Sequence, residues 1–199
     1  MEGGFFSGQL LIAMPGISDP RFERALILIC AHDADHAMGL TLNRPVEGLT
    51  VRDVLERLGV LEKQGGLEKL GLKPTTRRPP DLVLIGGPVQ RDRGFVLHST
   101  DYPGEHSVKV GGDLALSADR AALEAMAAPV GAPARSLLAL GYAGWGAGQL
   151  EDEIKQNVWL ICEADEALIF GHAHETKWTR AVAKLGVDPE RLSSAAGRA

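Results

Sequence analysis

Apolar residues along this chain come mostly in short runs, each closed off by glycine, proline, asparagine or aspartate. Runs of that kind predict strands. They place strands over Gln9–Met14, Ala25–Ala31, Gly39–Asn43, Leu82–Ile85, Gly94–His98, Ser107–Val110, Leu137–Tyr142, Asn157–Cys162 and Ala167–Phe170. Several are apolar throughout and too short for helices, which implies burial on both faces.

Helical spacing is confined to a few segments. Val51, Val54, Leu55 and Leu58 recur at i, i+3, i+4 and i+7 and make one apolar face. Thr50 stands where an N-cap belongs, Asp53 completes a variant of the capping box, and Gly59 is the stop. Trp178, Ala181, Val182 and Leu185 repeat the spacing before Gly186. A third helix is predicted over Ala118–Ala128, after Ser117 and before Pro129. A fourth starts at Gln149, where Glu151 and Lys155 form an i,i+4 pair. Strands outnumber helices and do not alternate with them, so the pattern predicts an α+β fold rather than a doubly wound sheet. No repeat is visible. The chain reads as one domain over 1–199, with a mobile loop at 61–80 and a loose C-terminal tail at 187–199.

Composition narrows the function classes. Apolar residues make up 45% and charged residues 24%, ordinary for a globular chain. The formal net charge of -5 disfavours nucleic acid as a partner. The first residues carry Glu2 where a signal peptide needs positive charge, and their apolar stretch is too short to span a bilayer. A cytoplasmic location without membrane association is the expectation, as a monomer or weak dimer. Cys30 and Cys162, the two cysteines, each lie inside an apolar run and read as buried reduced thiols.

No candidate motif completes a reactive set. His32 and His36 would share a helix face and could hold a metal, but Asp33 and Asp35 between them predict a turn. His172 and His174 lack completing ligands, so no metal and no cofactor is expected. In Leu137–Lys155 the glycines precede Glu151, Asp152 and Glu153, whose charge would repel a phosphate from the helix start. His98 and Ser99 are neighbours on a strand, face opposite ways, and do not form a hydrolase pair.

Several phrases together carry a family likeness. They are Leu11-Ile-Ala-Met-Pro15, Asp19-Pro20-x-Phe22, Met38-Gly39 running into Asn43-Arg44-Pro45, Gly86-Gly87-Pro88-Val89, Gly94 to His98, and Gly141-Tyr-Ala-Gly-Trp145 through Gly148 to Glu151. From about Gly8 to Gly186 the chain resembles the YqgE/AlgH family, also called UPF0301 or DUF179. The resemblance implies a bifurcated sheet curled into a pseudo-barrel, with three to four helices outside. It implies no established activity, although some members carry a transcriptional-regulator label. The family pattern has a glutamate before the histidine in the second strand, and here Ala31 stands there.

The function expected from the residues is non-catalytic binding or regulation, with a small molecule or a protein as partner. The pocket is expected where Asn43, Arg44, Gly87, Pro88, His98 and Trp145 converge, as polar groups at strand ends beside glycine-permitted backbone. The alternative is an enzyme using His98 as general base, or Cys30 or Cys162 as nucleophile. Direct DNA binding ranks third, because no helix-turn-helix pair or basic helix face is visible.

Overall fold

The computed structural model describes residues 6–61, 81–128, 130–189 and 192. The expected loop at 61–80 lies outside the described residues except for Leu61. Much of the expected tail at 187–199 does too; of its described residues, Val187 and Leu192 pack against the central core.

Among the described residues, ten strands form one sheet. Its main path runs β10 (Trp159–Glu163), β1 (Gln9–Ala13), β2 (Leu26–His32), β3 (His36–Thr41), β9 (Ser136–Gly146), β6 (Val89–Ser99), β8 (Leu114–Ser117) and β7 (Val108–Gly111). Two strands branch from it, β4 (Pro45–Thr50) and β5 (Leu82–Ile85). The branch point is β9. One of its edges pairs with β6; the other is shared, with β5 parallel at Ala139 and Leu140 and β3 antiparallel from Ala143 to Gly146. The sheet also curls. Gly8 N donates to Ile29 O at 2.8 Å, and the backbones of Gly8 and Gly111 pack together, bringing β7 back towards β2.

The branching explains the Gly86-Gly87-Pro88 motif. Ala139 of β9 has Leu84 of β5 on one side and Phe95 of β6 on the other. Those two strands are joined by only Gly86, Gly87 and Pro88, so the link passes straight over the β9 backbone. A Cβ on Gly87 would fall inside any non-bonded distance of Tyr142 C, Tyr142 O and Ala143 N. Glycine is required there because backbone meets backbone. Opposite it, Gly141 adopts φ 70°. Leu137 and Ala139 face the central core, yet beyond Gly141 it is Tyr142 that does so, while Ala143 and Trp145 face out. The left-handed glycine shifts the alternation by one residue, as a bulge does.

Three cores result. The central one, inside the curl, gathers Leu10, Leu28, Cys30, Leu40, Phe95, Leu97 and Trp178 among others. A second lies outside β1–β3, under Trp145, Leu150 and Trp159. The third lies outside β5, β6 and β9, under two of the helices.

Among the described residues, five α-helices flank the sheet: α1 (Val51–Arg57), α2 (Arg120–Ala127), α3 (Gln149–Lys155), α4 (Glu166–Phe170) and α5 (Lys177–Lys184). Both halves of the α1 capping box form, with Thr50 Oγ1 accepting from Asp53 N and the Asp53 carboxylate accepting from Thr50 N. Asp119, not Ser117, caps α2. One expected strand is instead a helix: Ala167–Phe170 lies in α4. Asp165 accepts from Leu168 N and starts a turn, and the neighbours Leu168 and Ile169 are both buried, a pattern that four apolar residues cannot distinguish from a strand. The α+β class and curled sheet stand, and the described residues alone hold one helix more than the three to four expected.

α5 also carries a buried charge. Lys177 is 1% exposed, and its Nζ donates to Leu42 O and Ile169 O, each at 3.0 Å. Burial, helped by Arg180, lowers its pKa to about 8. Between pH 8 and the ordinary lysine value the unfolded chain holds a proton that the native state releases, so stability must rise with pH in that window. In urea unfolding from pH 7.5 to 10, the wild type should gain up to ~2 kcal/mol relative to Lys177→Met. Parallel pH profiles for the two proteins would refute this.

Candidate functional site

The Gly86-Gly87-Pro88 link forms one wall of a groove on the outer face of the sheet. The groove comprises two adjoining concavities of about 140 and 480 Å³, which share Arg21, Phe22 and Pro88. Arg44, Ile85, Gly87 and Arg91 line the smaller, while Trp145, Gln149 and Glu153 line the larger.

Each side chain is placed by its own element. Asp19 caps the 3-10 turn Pro20–Phe22 and holds the Arg21 guanidinium by hydrogen bonds at 2.6–3.0 Å. Those bonds from Arg21 keep the Asp19 carboxyl below its usual range. Arg44 stands between β3 and β4, and its Nη2 donates to Glu23 O at 2.7 Å. Arg91 projects from β6 and makes no hydrogen bond or ion pair among the described residues. At the other end, Glu153 of α3 is the anchor. Its Oε2 accepts from Trp145 Nε1 at 2.8 Å and from Trp159 Nε1 at 2.7 Å, while Oε1 accepts from Gln149 Nε2 at 2.8 Å. Both acidic residues of the groove thus have internal partners, and the guanidiniums keep donors to spare. The smaller concavity suits an anion, with Phe22, Pro88 and the 41% exposed Ile85 offering apolar surface beside it.

The expected constellation of six residues does not assemble whole. Arg44, Gly87, Pro88 and Trp145 lie along this groove. Asn43, their sequence neighbour, turns away: its Oδ1 accepts from Leu26 N at 2.9 Å and its Nδ2 donates to Arg24 O at 2.8 Å. Its amide is consumed in tying the end of β3 to the start of β2. His98 lies elsewhere altogether, 0% exposed. Nδ1 lies 3.0 Å from Ser99 O, so it carries the proton and donates; Nε2, 2.9 Å from Ser117 Oγ, accepts. Ser107 Oγ closes the network 2.7 Å from Ser117 Oγ. A serine hydroxyl on a fixed imidazole is a nucleophile's arrangement, but this one is sealed, with Ser117 itself 1% exposed. The ring serves as a buried strut.

A family profile described as AlgH-like (DUF179) matches residues 10–190. The chain belongs to the AlgH-like family. A UPF0301 protein of Caulobacter vibrioides is 56% identical over 199 residues, covering 100% of this chain and 96% of that one. Another, of Rhodospirillum rubrum, is 44% identical over 98% of this chain and 95% of its own. Among solved structures, the solution structure of the AlgH protein from Pseudomonas aeruginosa superposes with a TM-score of 0.71 at 38% identity, covering 100% of this chain and 98% of that chain. A protein of Corynebacterium diphtheriae shares the fold, with a TM-score of 0.69 at 20% identity over 100% of this chain and 95% of that one.

In this AlgH-like chain the remaining chemical candidates have quiet surroundings. Burial pushes the Cys30 thiol up to about 12 and also raises that of Cys162, the opposite of a reactive thiolate. The His32–His36 segment forms the turn its aspartates predict: Asp33 Oδ1 accepts from the backbone N–H of Asp35 and of His36. His32 instead reaches α3, with Nε2 3.0 Å from Glu151 Oε1. No cluster of three or more His, Cys, Asp or Glu side chains able to hold a metal occurs among the described residues. No described helix is long and apolar enough to cross a membrane. Sequence reasoning missed Arg21, Phe22 and Arg91. The Asp19-Pro20-Arg21-Phe22 turn was a usable signal; Arg91 had none, since only the crossing of β9 brings it to Arg44.

Proposed function

We propose that this protein is a non-catalytic cytoplasmic binding protein whose outer groove takes a small molecule bearing a carboxylate or phosphate. The carrying observation is the placement of Arg21, Arg44 and Arg91 around one concavity with Arg91 uncommitted. A planar guanidinium pairs with such groups through two parallel hydrogen bonds, and two of them around one anion give orientation as well as charge. Phe22 and Pro88 would hold the apolar body of the ligand, and Gln149 its far polar end. Any regulatory role would follow from occupancy of this groove rather than from DNA, for which a net charge of -5 is unfavourable.

The test is a thermal-shift screen with defined carboxylates and phosphates, followed by titration of the hits against Trp145 fluorescence. A ligand held at about 100-fold its Kd adds about 2.7 kcal/mol, a rise of roughly 5–10 °C for a chain of this size. The double variant Arg44→Ala/Arg91→Ala should abolish that rise while keeping its own unliganded melting point within a few degrees. A screen without hits, or a shift that survives in the double variant, rejects the groove.

A further inference from the structure

We propose a second ligand site at the mouth of the central core, built to take a planar aromatic anion. The mouth is a cavity of about 400 Å³ with Met38, Phe95, Leu116 and Tyr142 on its floor. That volume is ample for a two-ring compound. Phe95 and Tyr142 stand edge to face there, centroids 5.7 Å apart and planes at 77°. An edge-to-face pair of this kind gives a third ring aromatic surface to pack against.

The cationic part comes from an irregularity in β6. Val89 pairs with Tyr142 and Gly94 with Leu140, so residues 90–93 of β6 face Gly141 alone. This long bulge divides its side chains. Arg91 goes to the outer groove, whereas Gln90 and Arg93 go to the inner mouth. Gln90 is held at φ 47°, a left-handed backbone conformation that residues other than glycine seldom adopt and one that in other proteins gathers at ligand sites. Arg93 sits 5.3 Å over the Phe95 ring and, among the described residues, otherwise makes only a 3.4 Å bond from Nη1 to Gln90 Oε1. Its remaining donors overhang an aromatic floor. A ligand ring on Phe95 and Tyr142 would therefore bring a carboxylate to the Arg93 fork. Among the described residues the one carboxylate on the rim, Asp119, is engaged at Oδ1 by Ala122 N at the positive end of α2, and His106 stands on the rim as well.

The test is an amide NMR titration of the full chain with 1-naphthoate, 1-naphthalenemethanol and 1-naphthylmethylammonium as probes. The naphthoate should give saturable shifts at Met38, Phe95, Leu116 and Tyr142, with the neutral and cationic probes at least tenfold weaker. Arg93→Met should weaken the naphthoate at least tenfold, its fold verified by the unchanged dispersion of the remaining amides. Arg44→Ala, in the outer groove, should leave that affinity intact. Equal binding of the three probes overturns the proposal. So does full affinity in Arg93→Met, or a footprint on the outer groove.

Discussion

Gly87→Ala leaves little folded protein. The added methyl has nowhere to go, since the atoms it meets are the carbonyl of Tyr142 and the nitrogen of Ala143, both fixed in the β9 ladder. Relief would require the link to lift off β9, which would unpair the start of β6 or the end of β5. A loss of about 4 kcal/mol or more is expected, within the exceptional range for single substitutions. Against a total of about 5–15 kcal/mol, that is most of the stability of a domain. Gly48→Ala is the matched control. Gly48, unlike Gly87, has a positive φ, 69°, and open space around it, so only the left-handed strain of about 1 kcal/mol applies there. Urea denaturation of both variants checks this, and equal losses would mean that crowding at the crossing is not what demands glycine.

Glu153→Ala is the second large effect. One carboxylate oxygen accepts from two indoles, and Trp145 and Trp159 are 5% and 2% exposed. Removing it strands two buried N–H donors, at about 1–3 kcal/mol each when nothing replaces the acceptor. Because the groove admits some water beside Trp145, a total of about 2–3 kcal/mol is expected, or a fall of roughly 5–10 °C in Tm. Glu153→Gln keeps an amide oxygen for the indoles and should lose only about 1 kcal/mol, since charge-assisted bonds become neutral ones. Trp145 and Trp159 also sit edge to face, centroids 5.9 Å apart, so near-ultraviolet circular dichroism should report the loosening directly. An alanine variant that melts with the wild type would show that the second core, not the carboxylate, holds the indoles.

Local structure was largely legible. The α1 box from Thr50 to Asp53, the start of α3 at Gln149 and the stop of α5 at Gly186 are all decided by residues within one turn of each other, and all appear. Where the reading slipped, the competing signal was also short-ranged. Ala167–Phe170 reads as a strand from its four apolar residues, but Asp165 caps it into a helix. β4 and β8 went unseen; β4, Pro45–Thr50, is only partly buried and lacks an apolar run. The site was legible only in part, for a different reason. Asn43 and Arg44 are adjacent and polar, yet the first is spent on the backbone of Leu26 and Arg24 while the second reaches the groove. His98 reads from the sequence as a free imidazole at a strand end, whereas Ser117, nineteen residues away, packs against it.

By itself, then, the order of residues determined which segments extend, which coil, where most helices begin and end, and the family to which the chain belongs. The tertiary structure alone decided that β9 would serve β3 and β5 on one edge and that a glycine link would vault its backbone. It alone decided that Arg21, Arg44 and Arg91 would meet there while His98 was walled in. Caps, turns and alternation act between covalent near neighbours. The choice of strand partner is made between segments tens of residues apart, by packing that no window of sequence contains.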